Sequence, residues 1–323
     1  MAGGTDSHES PALSPVELMM RYLDSLPQDF SVREEVRSPK FWKALRAELL
    51  ASLLLAVFVA GAAESVGETG GKATASDAGA ARLVLAYTLT AASLVQCVGN
   101  VSGAHANPAV TVGLLVCRLV SPLRAAAYVT VQLLGSLAGA LILYGLTPLD
   151  GPQLAQVAAV RPGVSLTQAF GAEFLATFLV VLTTLASLDP VRQDAGCKAL
   201  SIGLAYGAGA LFAFQLTGAG LCPSRIFGLA VVYNSWTNHW VYWVGPTFGG
   251  ILAGFTYEFV HESSAQGRWV RRSFRRRPGA PLRGHLGQRG HGQLGREASG
   301  MSSITTDCLQ PSAAEDVSSI SRH

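Results

Sequence analysis

From Phe41 to about His261 the chain runs in apolar stretches of similar length: 42–63, 83–101, 124–145, 168–188, 199–217 and 240–261. Each is close to the ~20 residues an α-helix needs to cross the hydrocarbon of a bilayer, so six transmembrane helices are predicted. Two further apolar pieces, 107–118 and 223–233, are too short to cross. Each opens on a proline motif, and proline is favoured in the first helical turn because the N–H it lacks had no partner there. Before them lie Ser102-Gly103-Ala104-His105-Ala106-Asn107-Pro108 and Thr217-Gly218-Ala219-Gly220-Leu221-Cys222-Pro223. Irregular polar backbone survives within a membrane where it lines a water-filled cavity. The two pieces therefore predict re-entrant half-helices, and the fold class is an all-α membrane protein with six spans and two half-helices.

The order of elements repeats. Ala47-Glu48-Leu49-Leu50 parallels Ala172-Glu173-Phe174-Leu175, and Gly135-Ser136-Leu137-Ala138-Gly139 parallels Gly250-Ile251-Leu252-Ala253-Gly254. Pro108 and Pro223 are 115 positions apart, as are Gly135 and Gly250. With three spans per half, the second copy enters from the opposite side. The repeat is then inverted, about 41–145 and 165–262, and its interface at the bilayer midplane is the expected permeation site.

Composition supports this reading. The 323 residues are 49% hydrophobic and only 14% charged, against roughly a quarter charged in soluble domains. A net charge of +3 gives no reason to expect nucleic acid as a partner. The five cysteines are odd in number and lack a repeated spacing, so they read as thiols. No nucleophile–base pair, phosphate loop or metal-ligand set stands out, and neither an enzyme, a metal nor a cofactor is expected. Residues 1–40 read as a disordered arm with a short helix at 15–26, and 263–323 as a disordered, basic tail. Basic residues flank the spans asymmetrically: Arg33, Arg37, Lys40, Lys43 and Arg46 before the first, Arg118 and Arg124 after the first half-helix, and Arg192 and Lys198 between the fourth and fifth. The positive-inside rule then places both termini in the cytoplasm.

These motifs resemble the aquaporin or major intrinsic protein family over about 41–262. Ser102-Gly103-Ala104-His105-Ala106-Asn107-Pro108-Ala109-Val110-Thr111 and the run His239 to Pro246 carry the resemblance. Within that family Ser121-Pro122-Leu123-Arg124 and Ser187-Leu188-Asp189-Pro190 are similar to the Big brain branch. The resemblance implies a plasma-membrane homotetramer, one pore per subunit, passing water and small neutral solutes. The alternative it implies is a Big brain-like cation-conducting or signalling and adhesion protein with little water transport.

Asn107, Pro108 and Ala109 would form the first midplane motif. A half-helix N-terminus carries about half a positive charge, and an Asn amide there donates to a passing water; the plainer role is a helix N-cap. In the second motif, Cys222, Pro223 and Ser224, a thiol stands where the family has Asn, and a thiol is a weak donor. Water would pass while ion exclusion weakens. By resemblance Tyr87, Ala210, Ala219 and Arg225 form the selectivity filter, with Ala210 in place of the bulkier His of strict water channels and so a wider opening expected. Glu48 and Glu173 would accept hydrogen bonds from the dipping loops, with ion binding as the other reading, and His105 would fix the first loop.

Overall fold

A computed structural model describes residues 32–63, 77–147, 159–189 and 196–261. The helices are α1 (Val32–Arg37), α2 (Pro39–Ala63), α3 (Asp77–Ser102), α4 (Pro108–Val116), α5 (Pro122–Leu146), α6 (Leu166–Leu188), α7 (Lys198–Thr217), α8 (Pro223–Tyr233) and α9 (Val241–His261). Five of them, α2, α3, α5, α6 and α7, are long and apolar enough to cross a membrane. The sixth long helix, α9, has 21 residues with Pro246 inside. The short α4 and α8 stand where half-helices were predicted.

Local chemistry sets the starts. Pro108, Pro122 and Pro223 each occupy a first helical turn. Ser121 caps α5 by accepting from Arg124 N at 3.1 Å. Ser165 and Gln168 form a reciprocal capping box at α6, which satisfies two otherwise unpaired backbone donors. At the end of α8, Asn234 takes the left-handed conformation (φ 51°) that terminates a helix.

Packing follows the repeat. α2 lies along α5 as α6 lies along α9, and α3 pairs with α7. Each half-helix seats against a long helix of the other half, α4 on α9 and α8 on α5. Contact between α2 and α5 depends on Gly135, where a Cβ would stand 2.3 Å from the Leu49 carbonyl oxygen. Gly250 plays the same part for α4, a Cβ there coming within 2.5 Å of Ala109 O. Small residues let helix backbones approach where no hydrophobic force separates helix from lipid. Gly135→Val is expected to push α2 and α5 apart and to cut the yield of detergent-stable protein at least fivefold, read by size-exclusion fluorescence. Large apolar side chains such as Leu89, Leu211, Phe248 and Phe255 point outward and are exposed, as an apolar surface in lipid requires.

Two boundaries differ from the sequence expectation. The arm does not run unstructured to residue 40: Val32–Arg37 is helical and α2 begins at Pro39. The reason is tertiary. Glu35 accepts from Ser121 Oγ at 2.6 Å and pairs with Arg124 Nε at 2.8 Å, and Trp42 Nε1 donates to Val36 O at 2.8 Å. The third element starts at Asp77, six positions before the predicted span. The expected helix at 15–26 and the basic tail lie outside the described residues.

Candidate functional site

The loops entering α4 and α8 share an unusual backbone. Gly103, Ala104 and Ala106 have φ of 93°, 48° and 47°; Gly218, Ala219 and Leu221 have 73°, 57° and 53°. A non-glycine residue in the left-handed region costs on the order of 1–3 kcal/mol, so each loop needs an external hold. Two buried carboxylates supply it. Glu48 accepts from His105 N at 2.9 Å and Ala106 N at 2.8 Å, and also from Ser102 Oγ at 2.6 Å and Gln132 Nε2 at 2.9 Å. Glu173 accepts from Gly220 N at 2.8 Å and Leu221 N at 2.7 Å, and from the Thr217 hydroxyl. Buried carboxylates normally carry a heavy desolvation cost; here their oxygens are occupied by fixed donors. His105 closes the first loop, its Nδ1 3.0 Å from Thr111 Oγ1 and its ring edge-on to Tyr128.

The two loops bring the half-helix N-termini head to head. Asn107 caps α4, its Oδ1 accepting from Ala109 N at 2.9 Å. Its Nδ2 crosses to the other loop and donates to Leu221 O at 2.8 Å. Asn107 is thus an N-cap and a cross-junction donor at once. Cys222 stands at the cap of α8 but makes no side-chain cap bond. Its Sγ lies 3.6 Å from Ala106 O and 3.3 Å from Ser224 Oγ. The geometry is symmetric in backbone and asymmetric in donors: one carboxamide faces one thiol.

Beside this junction Arg225 is fully buried. Its Nε donates to Tyr87 Oη at 2.9 Å, and its Nη2 to Ala219 O at 2.8 Å and Gly220 O at 3.1 Å. Tyr87 Oη in turn lies 2.6 Å from Gly220 O and 3.1 Å from Ala219 O. The guanidinium sits 5.2 Å from the centre of the Tyr87 ring, a cation–π distance. Arg225 Nη1 has no hydrogen-bond partner among the described residues.

Of the residues singled out from sequence, Tyr87, Ala219 and Arg225 are in mutual contact, and Asn107 meets the Leu221 carbonyl beside Cys222. Tyr87, Ala210, Ala219 and Arg225 are all fully buried within the bundle. One residue the sequence reading missed joins this cluster. Tyr206, one turn before Ala210 on α7, stacks on Tyr87 (5.7 Å between ring centres, 10° between planes). Its hydroxyl accepts from Asn107 Nδ2 at 3.1 Å. The available signal was spacing: positions four apart on a helix share a face, so 206 lies on the same face of α7 as 210. Among the described residues no group of three or more His, Cys, Asp or Glu is placed to hold a metal ion.

Residues 35–257 match the family profile described as major intrinsic protein. The chain belongs to the major intrinsic protein family. This integral membrane channel is 42% identical over 235 residues to the neurogenic protein big brain of Drosophila melanogaster, across 72% of this chain. The matched segment spans 32% of the big brain protein's own length. It is 41% identical over 224 residues to aquaporin-4 of Rattus norvegicus, covering 68% of each chain. Lens fiber major intrinsic protein of Oryctolagus cuniculus is 41% identical over 227 residues, covering 70% of this chain and 84% of that one. Among solved structures, the aquaglyceroporin of Plasmodium falciparum aligns with a TM-score of 0.60 at 25% identity, over 68% of this chain and 96% of that one. The chain is a channel rather than an enzyme.

Proposed function

We propose that this major intrinsic protein is a passive water channel. The observation that carries the reading is the junction of two half-helix N-termini at Asn107 and Cys222, with Arg225 beside it. Asn107, Pro108, Ala109, Cys222, Pro223 and Ser224 form the pore midplane; Tyr87, Ala210, Ala219 and Arg225 form the selectivity filter. Two facing N-termini contribute about half a positive charge each, which with Arg225 disfavours cations. Channel selectivity of this kind rests on pore diameter, lining donors and such electrostatic barriers. The Tyr87–Tyr206 ring stack beside Arg225 favours water over larger neutral solutes. Four copies, each with its own pore, sit in the plasma membrane with both termini cytoplasmic, in keeping with the basic flanks.

A second reading is favoured by a specific residue. Cys222 removes one of two carboxamide donors, and the similarity to big brain is as strong as that to aquaporin-4. In that reading cations pass and water transport is small. Swelling and voltage-clamp recording in the same expressing cells separate the two. For a water channel weakened in ion exclusion, Cys222→Asn lowers cation current severalfold while water permeability changes less than twofold. Identical current and swelling in both forms refute a role for the thiol. A large cation current with no swelling in the unmodified protein favours the second reading.

A further inference from the structure

We infer that Tyr206 is the permeability-limiting residue of this channel: its phenol ring narrows the water path between the Asn107 midplane and the Arg225 filter. The inference rests on the water-channel reading and adds a constriction to it.

Three observations carry it. First, Tyr206 and Asn107 are both buried, so the phenol lies inside the bundle beside the junction and not on its lipid-facing surface. Second, the polar groups that a water file needs are used up by one another. Asn107 Nδ2 is spent on Tyr206 Oη and Leu221 O. The Ala219 and Gly220 carbonyls are spent on Tyr87 Oη and Arg225. Third, Tyr206 and Tyr87 stack with nearly parallel, offset rings, so the two rings make a single block beside the path, anchored at one end to Asn107 and at the other to Arg225. Buried Arg225 Nη1 remains without a partner among the described residues. An unpaired buried donor is unfavourable, which marks where a water binds when the block parts.

Tyr206 is the residue of this block that the filter does not require. Tyr87 is held by three partners, the loop carbonyls of Ala219 and Gly220 and Arg225 of α8. Tyr206 has one hydrogen bond and a ring stack. A shorter side chain at 206 removes ring bulk without touching the carboxylates that fix the loops.

The test uses the full chain, purified and reconstituted, with unmodified protein, Tyr206→Val and Tyr206→Leu compared at matched channel density. Osmotic permeability per channel is read by stopped-flow light scattering. In parallel, the rate at which a small water-soluble methanethiosulfonate modifies Cys222 is read by peptide mass spectrometry, which separates it from exposed Cys97 and Cys197. Water permeability is expected to rise at least fivefold in both variants, and Cys222 labelling to accelerate by a similar factor. Unchanged permeability and unchanged labelling in a folded variant, with the unmodified protein conducting, overturn the role of Tyr206 and leave the water-channel reading standing. Faster labelling with no water flow in any form supports Tyr206 as the block and overturns the water-channel reading. No water flow and no change in labelling overturn both.

Discussion

Replacing Glu48 with Ala is expected to remove nearly all folded protein from the cell surface. Glu48 accepts four hydrogen bonds, two of them from backbone N–H groups of the strained loop. Hydrogen bonds to a charged group contribute about 1.5–3 kcal/mol each, and a buried donor left unpaired costs about 1–3 kcal/mol. The left-handed conformations of Ala104 and Ala106 then lose the groups that enforce them. Even discounted for relaxation, the loss is comparable to the 5–15 kcal/mol by which proteins are stable. Glu48→Gln offers little rescue, because its amide nitrogen turns a donor toward the loop's own donors. Glu173→Ala is expected to behave in the same way through Gly220 and Leu221. Surface biotinylation against total protein checks this. Full delivery with an altered ion current would instead make Glu48 an ion-binding group.

Replacing Arg225 with Val is expected to raise proton and monovalent-cation conductance at least tenfold. Arg225 bonds only neutral groups, the Tyr87 hydroxyl and two carbonyls, so no carboxylate in contact cancels its charge. Two unit charges 4 Å apart repel by about 4 kcal/mol at an effective dielectric of 20, which approaches three orders of magnitude in cation occupancy. The prediction is set lower because the two half-helix termini remain and still oppose cations. Water flow is expected to rise as well, since Tyr87 loses a donor that holds it across the path. The check is current recording and liposome proton flux at equal surface density; unchanged ion flux in delivered protein would assign Arg225 a packing role.

Much of the fold was legible because membrane spans announce themselves by length. Runs such as 168–188 and 199–217 became α6 and α7 with ends shifted by two positions or fewer. The half-helices were legible because Pro108 and Pro223 punctuate apolar sequence that is too short to cross. The helix Val32–Arg37 was not, because six residues with only Val32 and Val36 on one face bury none of their side chains, and the helix owes its order to Glu35 meeting Ser121 and Arg124, 86 and 89 positions away. The loop carboxylates came from the repeat and the family resemblance together. Tyr206 was hidden for a different reason. Its consequence depends on a partner 99 positions away, Asn107, and on a stack with Tyr87 that no local pattern encodes. Ala210 read alone suggested space; Tyr206, one turn away on the same helix, adds an aromatic ring beside Tyr87.

The most direct test of the account is osmotic water permeability of liposomes carrying the purified, unmodified chain. Permeability above that of protein-free liposomes, with an activation energy below that of lipid, is the predicted result. Shrinkage indistinguishable from empty liposomes, at verified channel density and with the Tyr206→Val protein equally silent, would contradict a water path through the Asn107–Cys222 junction.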